Sequence, residues 1–278
     1  MHDKKIIKDK LNKSSFVPSK KMGQNFLSSN RVVNDIVSKS NLTADSNILE
    51  IGPGLGALTC ELVKNVKRVV AIELDRRLFD HLQTTMNDDN LSLINDDVLK
   101  VDLEKILKSY YKDEPVTVVA NLPYSISSKI ILKILKVPQI QHVYIMVQKE
   151  MAERIAAKVS TKGYNAFTVL VQLIFDAKLL FNVDGKNFVP PPKVKSSVIE
   201  LTRIQPTSLF DLTAIEKFLR VCFLNKRKKL FNNLITAYKK ESVTKLYKSF
   251  NLDENIRAES IKKEDFIAFL KFLKDLED

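Results

Sequence analysis

Asn47-Ile48-Leu49-Glu50-Ile51-Gly52-Pro53-Gly54-Leu55-Gly56-Ala57 is the stretch on which the fold turns. Asn47–Ile51 has the length and apolar content of a buried strand, and helical periodicity takes over from Ala57 to Lys64. A glycine-rich turn at a strand-to-helix junction lets backbone approach a ligand closely and permits positive φ. The same alternation continues outward. Strand runs follow at Arg68–Glu73, Leu91–Asn95, Val116–Asn121 and Val143–Val147, with helical patterns at Arg76–Met86, Ser128–Leu135 and Lys149–Ala157. The strands are apolar on both faces, as buried parallel strands are. The reading is an α/β chain with a Rossmann-like, mainly parallel, doubly wound sheet.

After Phe188 come Pro190-Pro191-Pro192, which fit neither a helix interior nor a central strand, and then a last strand candidate at Ser197–Arg203. From about Pro206 strand patterning stops. Leu212–Leu224, Arg227–Tyr238, Val243–Phe250 and Lys263–Leu276 read as amphipathic helices. The boundary is therefore expected near 205. It separates a catalytic domain at 1–205, with 1–19 as a flexible basic arm, from a small all-helical domain at 206–278.

The formal net charge is +12, and residues 1–39 alone carry a net +6. A second cluster is Lys226-Arg227-Lys228-Lys229. Such a balance attracts polyanions, and neutralising phosphates dominates nucleic-acid affinity. The two cysteines, Cys60 and Cys222, and three scattered histidines form no metal or disulfide pattern, so no metal is expected. No apolar run reaches the roughly 18 to 20 residues of a membrane span. The polar, lysine-rich start lacks the apolar core of a secretory signal, and the expectation is a cytoplasmic protein.

Glu73 ends the second strand, 21 residues beyond Gly52. A carboxylate there can accept from ribose hydroxyls. Asp97 follows the third strand and can accept from an adenine amino group; capping a helix is its structural alternative, and Asp96 competes with it. These features define an adenosine-like ligand without separating a nicotinamide dinucleotide from S-adenosylmethionine. Asn121-Leu122-Pro123-Tyr124, at the end of the fourth strand, separates them. Strand carboxyl ends line the crevice of an open α/β sheet, and a dehydrogenase has no use for Asn121 there. The amine of adenine is a poor nucleophile because its lone pair is delocalised into the ring. It needs acceptors on its N–H bonds, which the Asn121 oxygen and the Leu122 carbonyl can provide. Pro123 fixes the turn, and Tyr124 offers a face for the base to stack on, worth roughly 1–3 kcal/mol.

With these motifs in place the chain resembles the KsgA-type small-subunit rRNA adenine N6,N6-dimethyltransferases along nearly its whole length. The resemblance rests on Gly23–Leu27, Glu50–Gly56, Ala71–Asp75, Asp97, Asn121–Tyr124, Phe188–Ser197, Asn225–Leu234 and Arg257–Glu259. It implies S-adenosylmethionine as cofactor, held by Gln24, Asn25, Leu27, Gly52, Gly54, Gly56, Glu73, Asp97 and Asn121. It implies a target adenine gripped by Asn121, Leu122, Pro123 and Tyr124, with Phe188 closing on the other face. The implied substrate is a pair of adjacent adenines in a loop near the 3′ end of 16S rRNA in the assembling small subunit. Lys20, Lys21, Lys193, Lys195, Lys226, Arg227, Lys228 and Lys229 would meet the RNA, and a monomer is the default. Two positions depart from the family pattern: Ser125 stands where the family commonly has Asn, and Lys226 and Lys228 stand where it often has arginines.

Three other readings compete. The sister enzymes of macrolide resistance, which dimethylate 23S rRNA, share several motifs. A non-catalytic RNA-binding assembly factor would explain the basic termini but need not keep Asn121. An NAD enzyme lacks any hydride-transfer constellation here.

Overall fold

The computed structural model describes residues 24–206 and 211–277, so the arm at 1–19 and Lys20 and Lys21 lie outside the described residues. In chain order the elements are β1 (Phe26–Leu27), α1 (Asn30–Lys39), β2 (Asn47–Ile51), α2 (Thr59–Leu62), β3 (Arg68–Glu73) and α3 (Arg76–Thr85). Next come β4 (Leu91–Asn95), α4 (Leu103–Tyr111), β5 (Val116–Asn121), α5 (Ser127–Leu135), β6 (Ile140–Gln148) and α6 (Lys149–Ile155). They are followed by α7 (Ala166–Ile174), β7 (Phe175–Val183), β8 (Phe188–Val189) and β9 (Ser196–Arg203). Four helices close the chain: α8 (Leu212–Cys222), α9 (Leu230–Leu234), α10 (Lys240–Ser249) and α11 (Lys263–Glu277).

The described residues gather into two compact units. One takes 24–152 and 178–203; the other takes 153–177 and the described residues from 204 onward. The expected boundary near 205 lies beside the last crossing between them, whereas 153–177 groups with the helical residues.

The sheet orders its strands β4-β3-β2-β5-β6-β9-β7. β4, β3, β2, β5 and β6 are mutually parallel, and β9 runs antiparallel to β6. β2 sits between β3 and β5, with Leu49 facing Val70 on one side and Val118 on the other. The chain therefore winds outward from β2 through β3 to β4, then crosses back to begin again at β5. That reversal opens a crevice at the carboxyl ends of β2 and β5. The central strands carry the core: Ile48, Leu49, Val69, Val70, Val118 and Val119 are fully buried. β4, the edge strand, is half-buried throughout.

Local signals start the helices. Asp75 accepts from the Arg77 N–H at the start of α3, and Asp102 from the Lys105 N–H at the start of α4. Asn165 and Thr168 form a reciprocal capping box on α7. α1, α4, α7 and β7 add to the sequence reading. β7 escaped it because its burial alternates only weakly along Phe175–Val183, as at a sheet edge.

The second unit is helical, with α7 packing on α8 and α11. Phe266 lies edge-on to Phe218 at 6.5 Å and tilted against Phe223 at 5.6 Å. The Lys263 Nζ donates to the Gln172 carbonyl at 2.7 Å, tying α11 to α7. The helix expected over Arg227–Tyr238 shrinks to Leu230–Leu234. Four consecutive cations gain little from winding into one turn. The buried Asn233 amide instead donates to the Cys222 and Asn225 carbonyls, which holds the preceding chain in a turn.

Candidate active site

A cavity of about 400 Å³ opens at the tips of β2, β3 and β5, all within the sheet unit. This size suits a nucleoside-bearing ligand. Three consecutive strand tips build its wall. The β2 turn passes through Gly52 and Gly54 at φ of 69° and 61°. A Cβ added at Gly52 would meet nothing within 4 Å, so that glycine faces open space. Gly54 donates its N–H to Glu73 Oε2 at 3.0 Å, and Asp75 donates its N–H to Glu73 Oε1 at 2.9 Å. Glu73 thus braces the glycine turn against the start of α3. Burial raises its pKa from the ordinary carboxylate value, against the two N–H groups that favour the charged form.

Glu50 is the deepest acid of the cavity wall, 1% exposed, and its Oε2 has no hydrogen-bond partner among the described residues. Burial pushes its pKa up to about 8, and the nearby Glu73 charge adds to the rise. A buried acid with one oxygen unpaired in the cavity wall fits a ligand that carries positive charge. S-adenosylmethionine brings a sulfonium and an ammonium, so the residues present fit this cofactor.

Asn121 lines the same cavity from the tip of β5. Its Nδ2 donates to the Asn25 backbone carbonyl at 3.1 Å. A carbonyl only accepts, so this contact turns the amide nitrogen toward Asn25 and the oxygen the other way. Leu122 donates its N–H to Met146 O at 3.1 Å, continuing the β5–β6 ladder one residue past the strand. The Pro123 carbonyl accepts from Ile126 N–H, closing the turn that carries Tyr124. The Tyr124 hydroxyl meets Ser196 Oγ at 2.5 Å, and burial raises the phenol pKa.

The structure brings together Gln24, Asn25, Leu27, Gly52, Gly54, Glu73, Asp97 and Asn121–Tyr124 around one cavity. Gln24 donates to Asp75 Oδ2 at 3.0 Å, which links the stretch before β1 to the start of α3. Asp97 Oδ1 accepts from the Leu99 N–H at 2.9 Å, so this acid caps its own loop while lining the cavity. Gly56 is not a lining residue. Its φ is 80° and its N–H donates to the Pro53 carbonyl at 3.0 Å, so it is the residue that closes the turn. Phe188 is placed elsewhere too: it is 1% exposed, pairs with Leu27 across β1–β8, and packs into the core with Val183 and Val198. An aromatic inside a closed core has no free face to offer a base.

Ile126 and Ile130 in the cavity lining, the exposed Leu74 in that same lining, and Ser196 as the anchor of Tyr124 were not singled out in the sequence. Apolar lining and a lone serine carry no spacing signal. Lys193 and Lys195 are exposed in the loop before β9. In the helical unit Lys226, Arg227, Lys228 and Lys229 are all exposed, and Lys226 also donates to the Lys162 carbonyl and lies 3.7 Å from the Glu259 carboxylate. Among the described residues no group of three His, Cys, Asp or Glu could hold a metal ion, and no helix is long and apolar enough to cross a membrane.

The profile of the family described as ribosomal RNA adenine dimethylase matches residues 16–275. The chain is 54% identical to a ribosomal RNA small subunit methyltransferase A of Ureaplasma urealyticum, over 98% of each protein. It is 41% identical to the protein of that name from Malacoplasma penetrans, over 96% of this chain and 95% of that one. Among solved structures it resembles a dimethyladenosine transferase from Plasmodium falciparum. That match has 26% identity and a TM-score of 0.76, and covers 90% of this chain and 98% of that one.

Proposed function

The chain belongs to the ribosomal RNA adenine dimethylase family, and on that footing we propose that it dimethylates N6 of two adjacent adenines in the loop near the 3′ end of 16S rRNA. The methyl donor is S-adenosylmethionine, the setting is the assembling small subunit, and the enzyme works as a monomer in the cytoplasm. The observation that carries this reading is the Asn121 amide, fixed by Asn25 with its oxygen turned away from that contact, in the cavity that Gly52 and Glu73 also line.

When bound, the cofactor supplies an electrophilic methyl on a sulfonium, so no residue has to generate an anion first. Glu73 would hold the ribose hydroxyls, Asp97 the adenine amino group, and the Gly52 turn the remainder. The chain's own task is alignment. The Asn121 oxygen and the Leu122 carbonyl accept the N–H bonds of the target amine, and Tyr124 gives the ring a face. Alignment of this kind can supply up to about 7–11 kcal/mol of the barrier. The proton lost afterwards can go to water, and no general base is assigned.

Target bases in a loop leave their stacks more cheaply than bases in a duplex. Lys20, Lys21, Lys193 and Lys195, with Lys226, Arg227, Lys228 and Lys229 of the helical part at 206–278, would meet RNA phosphates. The names carried by the relatives favour the small-subunit substrate over 23S rRNA.

The test is incubation with labelled cofactor and either immature small subunits or protein-free 23S rRNA, followed by mass spectrometry. Dimethyladenosine in the small-subunit RNA alone is expected. Its appearance only in 23S rRNA would move the chain to the sister activity. RNA binding without methyl transfer would make it an assembly factor.

A further inference from the structure

Tyr124 and Ser196 are joined hydroxyl to hydroxyl across 72 residues of sequence. Ser196 belongs to the rigid frame. It is fully buried, opens β9 opposite Gln148 of β6, and follows Lys195, whose carbonyl accepts from the Lys149 N–H at 2.9 Å. Tyr124 belongs to the turn after β5. The Ile126 N–H on the Pro123 carbonyl and the Ser127 hydroxyl on the Tyr124 carbonyl hold its backbone. Neither bond fixes the ring. The contact at the ring's far end, with Ser196, does.

We propose that Ser196 is a positioning residue for base retention: it holds the Tyr124 ring in the plane against which the target adenine stacks, and keeps the base in place between the two methyl transfers. The proposal rests on Tyr124 being the stacking face, as argued above. Its chemical reason lies in the half-finished product. Adenine offers two N–H bonds, to Asn121 and to the Leu122 carbonyl. After one methylation a single N–H remains. One of the two polar holds is gone, and the aromatic face carries a larger share of what keeps the base in the cavity.

The experiment uses the full chain with immature small subunits and S-adenosylmethionine, and measures the early ratio of monomethyl- to dimethyladenosine by mass spectrometry. Ser196→Ala and Tyr124→Phe break the same contact from opposite ends. Each is expected to raise that ratio about threefold to tenfold, the range set by one hydrogen bond. The double variant should match either single one, with the cofactor KM unchanged in all three. A ratio unmoved by Ser196→Ala, or a double effect equal to the product of the single ones, overturns the proposal. Tyr124→Ala separates the two layers of the argument. If it loses activity while Ser196→Ala and Tyr124→Phe are silent, the Ser196 role alone falls. If it methylates normally, the stacking face falls with it.

Discussion

Asn121 Nδ2 and the Asn25 carbonyl oxygen lie 3.1 Å apart, joining the tip of β5 to the residue just before β1. This contact decides which end of the amide is left for a substrate. Asn121→Asp keeps the size but replaces the donor with a second acceptor, which then faces the Asn25 carbonyl. Asn121→Ala removes the clamp. Both variants are expected to lower kcat about a hundredfold or more, because small misplacements of reacting groups cost that much. Single-turnover assays should show the loss in the methyl-transfer step, with RNA affinity retained.

Glu73 serves two backbone N–H groups at once, from Gly54 and Asp75. Glu73→Ala leaves both without an acceptor in a buried setting, at about 1–3 kcal/mol each. It should abolish methyl transfer, weaken S-adenosylhomocysteine binding in calorimetry and lower the melting temperature, while filter binding of RNA persists. Glu73→Gln keeps one acceptor and should fall between the two. Undiminished methyl transfer in Glu73→Ala would remove this residue from the cofactor site.

The glycines of the turn separate binding from folding. Gly52 and Gly56 both have positive φ, so alanine at either is strained by roughly 1–2 kcal/mol. At Gly56 the new Cβ would also lie 2.9 Å from Leu82 Cδ2, inside contact distance. Gly56→Ala should therefore show the larger drop in thermal stability. At Gly52 the Cβ enters the cavity, so Gly52→Ala should chiefly weaken cofactor binding. Calorimetry and thermal melts on the same pair of variants check both halves.

Glu50 gives the free protein a pH-dependent weakness. Its pKa rises from 4.5 to about 8 on folding, so between those values the native state holds a proton that the unfolded chain has released. Stability then falls as pH rises through this window, by about 1.4 kcal/mol per unit from this group, and levels off above it. Glu50→Gln, permanently neutral, removes the slope. Denaturant melts without cofactor should find the variant more stable than the parent at pH 8, by an amount on the order of a few kcal/mol, and matched to it below pH 4.

The features readable in the sequence were those with a period or a fixed spacing. The five parallel strands stand out because short apolar runs, buried on both faces in all but the edge strand β4, alternate with helices. The cavity was legible because Gly52, Glu73, Asp97 and Asn121 each sit at or just past a strand end, where the crevice of such a sheet must lie. The rest depends on distance in space. Ser196 meets Tyr124 only because β9 folds back against β6. The resemblance implies that Phe188 closes on a base, whereas its pairing with Leu27 draws it into the core. Lys226 is exposed like its neighbours, and only the fold reveals its contacts with the Lys162 carbonyl and the Glu259 carboxylate.

The grouping of 153–177 with the residues after 203 bears on how the chain emerges during synthesis. α7 is made before β9, yet the helices it packs on, α8 and α11, come 38 or more residues later. Until then a helix with six of its nine side chains destined for burial lacks the helices that cover it. The sheet is delayed as well, because β6 waits for β9. The helical unit cannot mature until the end of the chain has emerged, and a truncation at residue 205 would strand α7 rather than release an independent catalytic half.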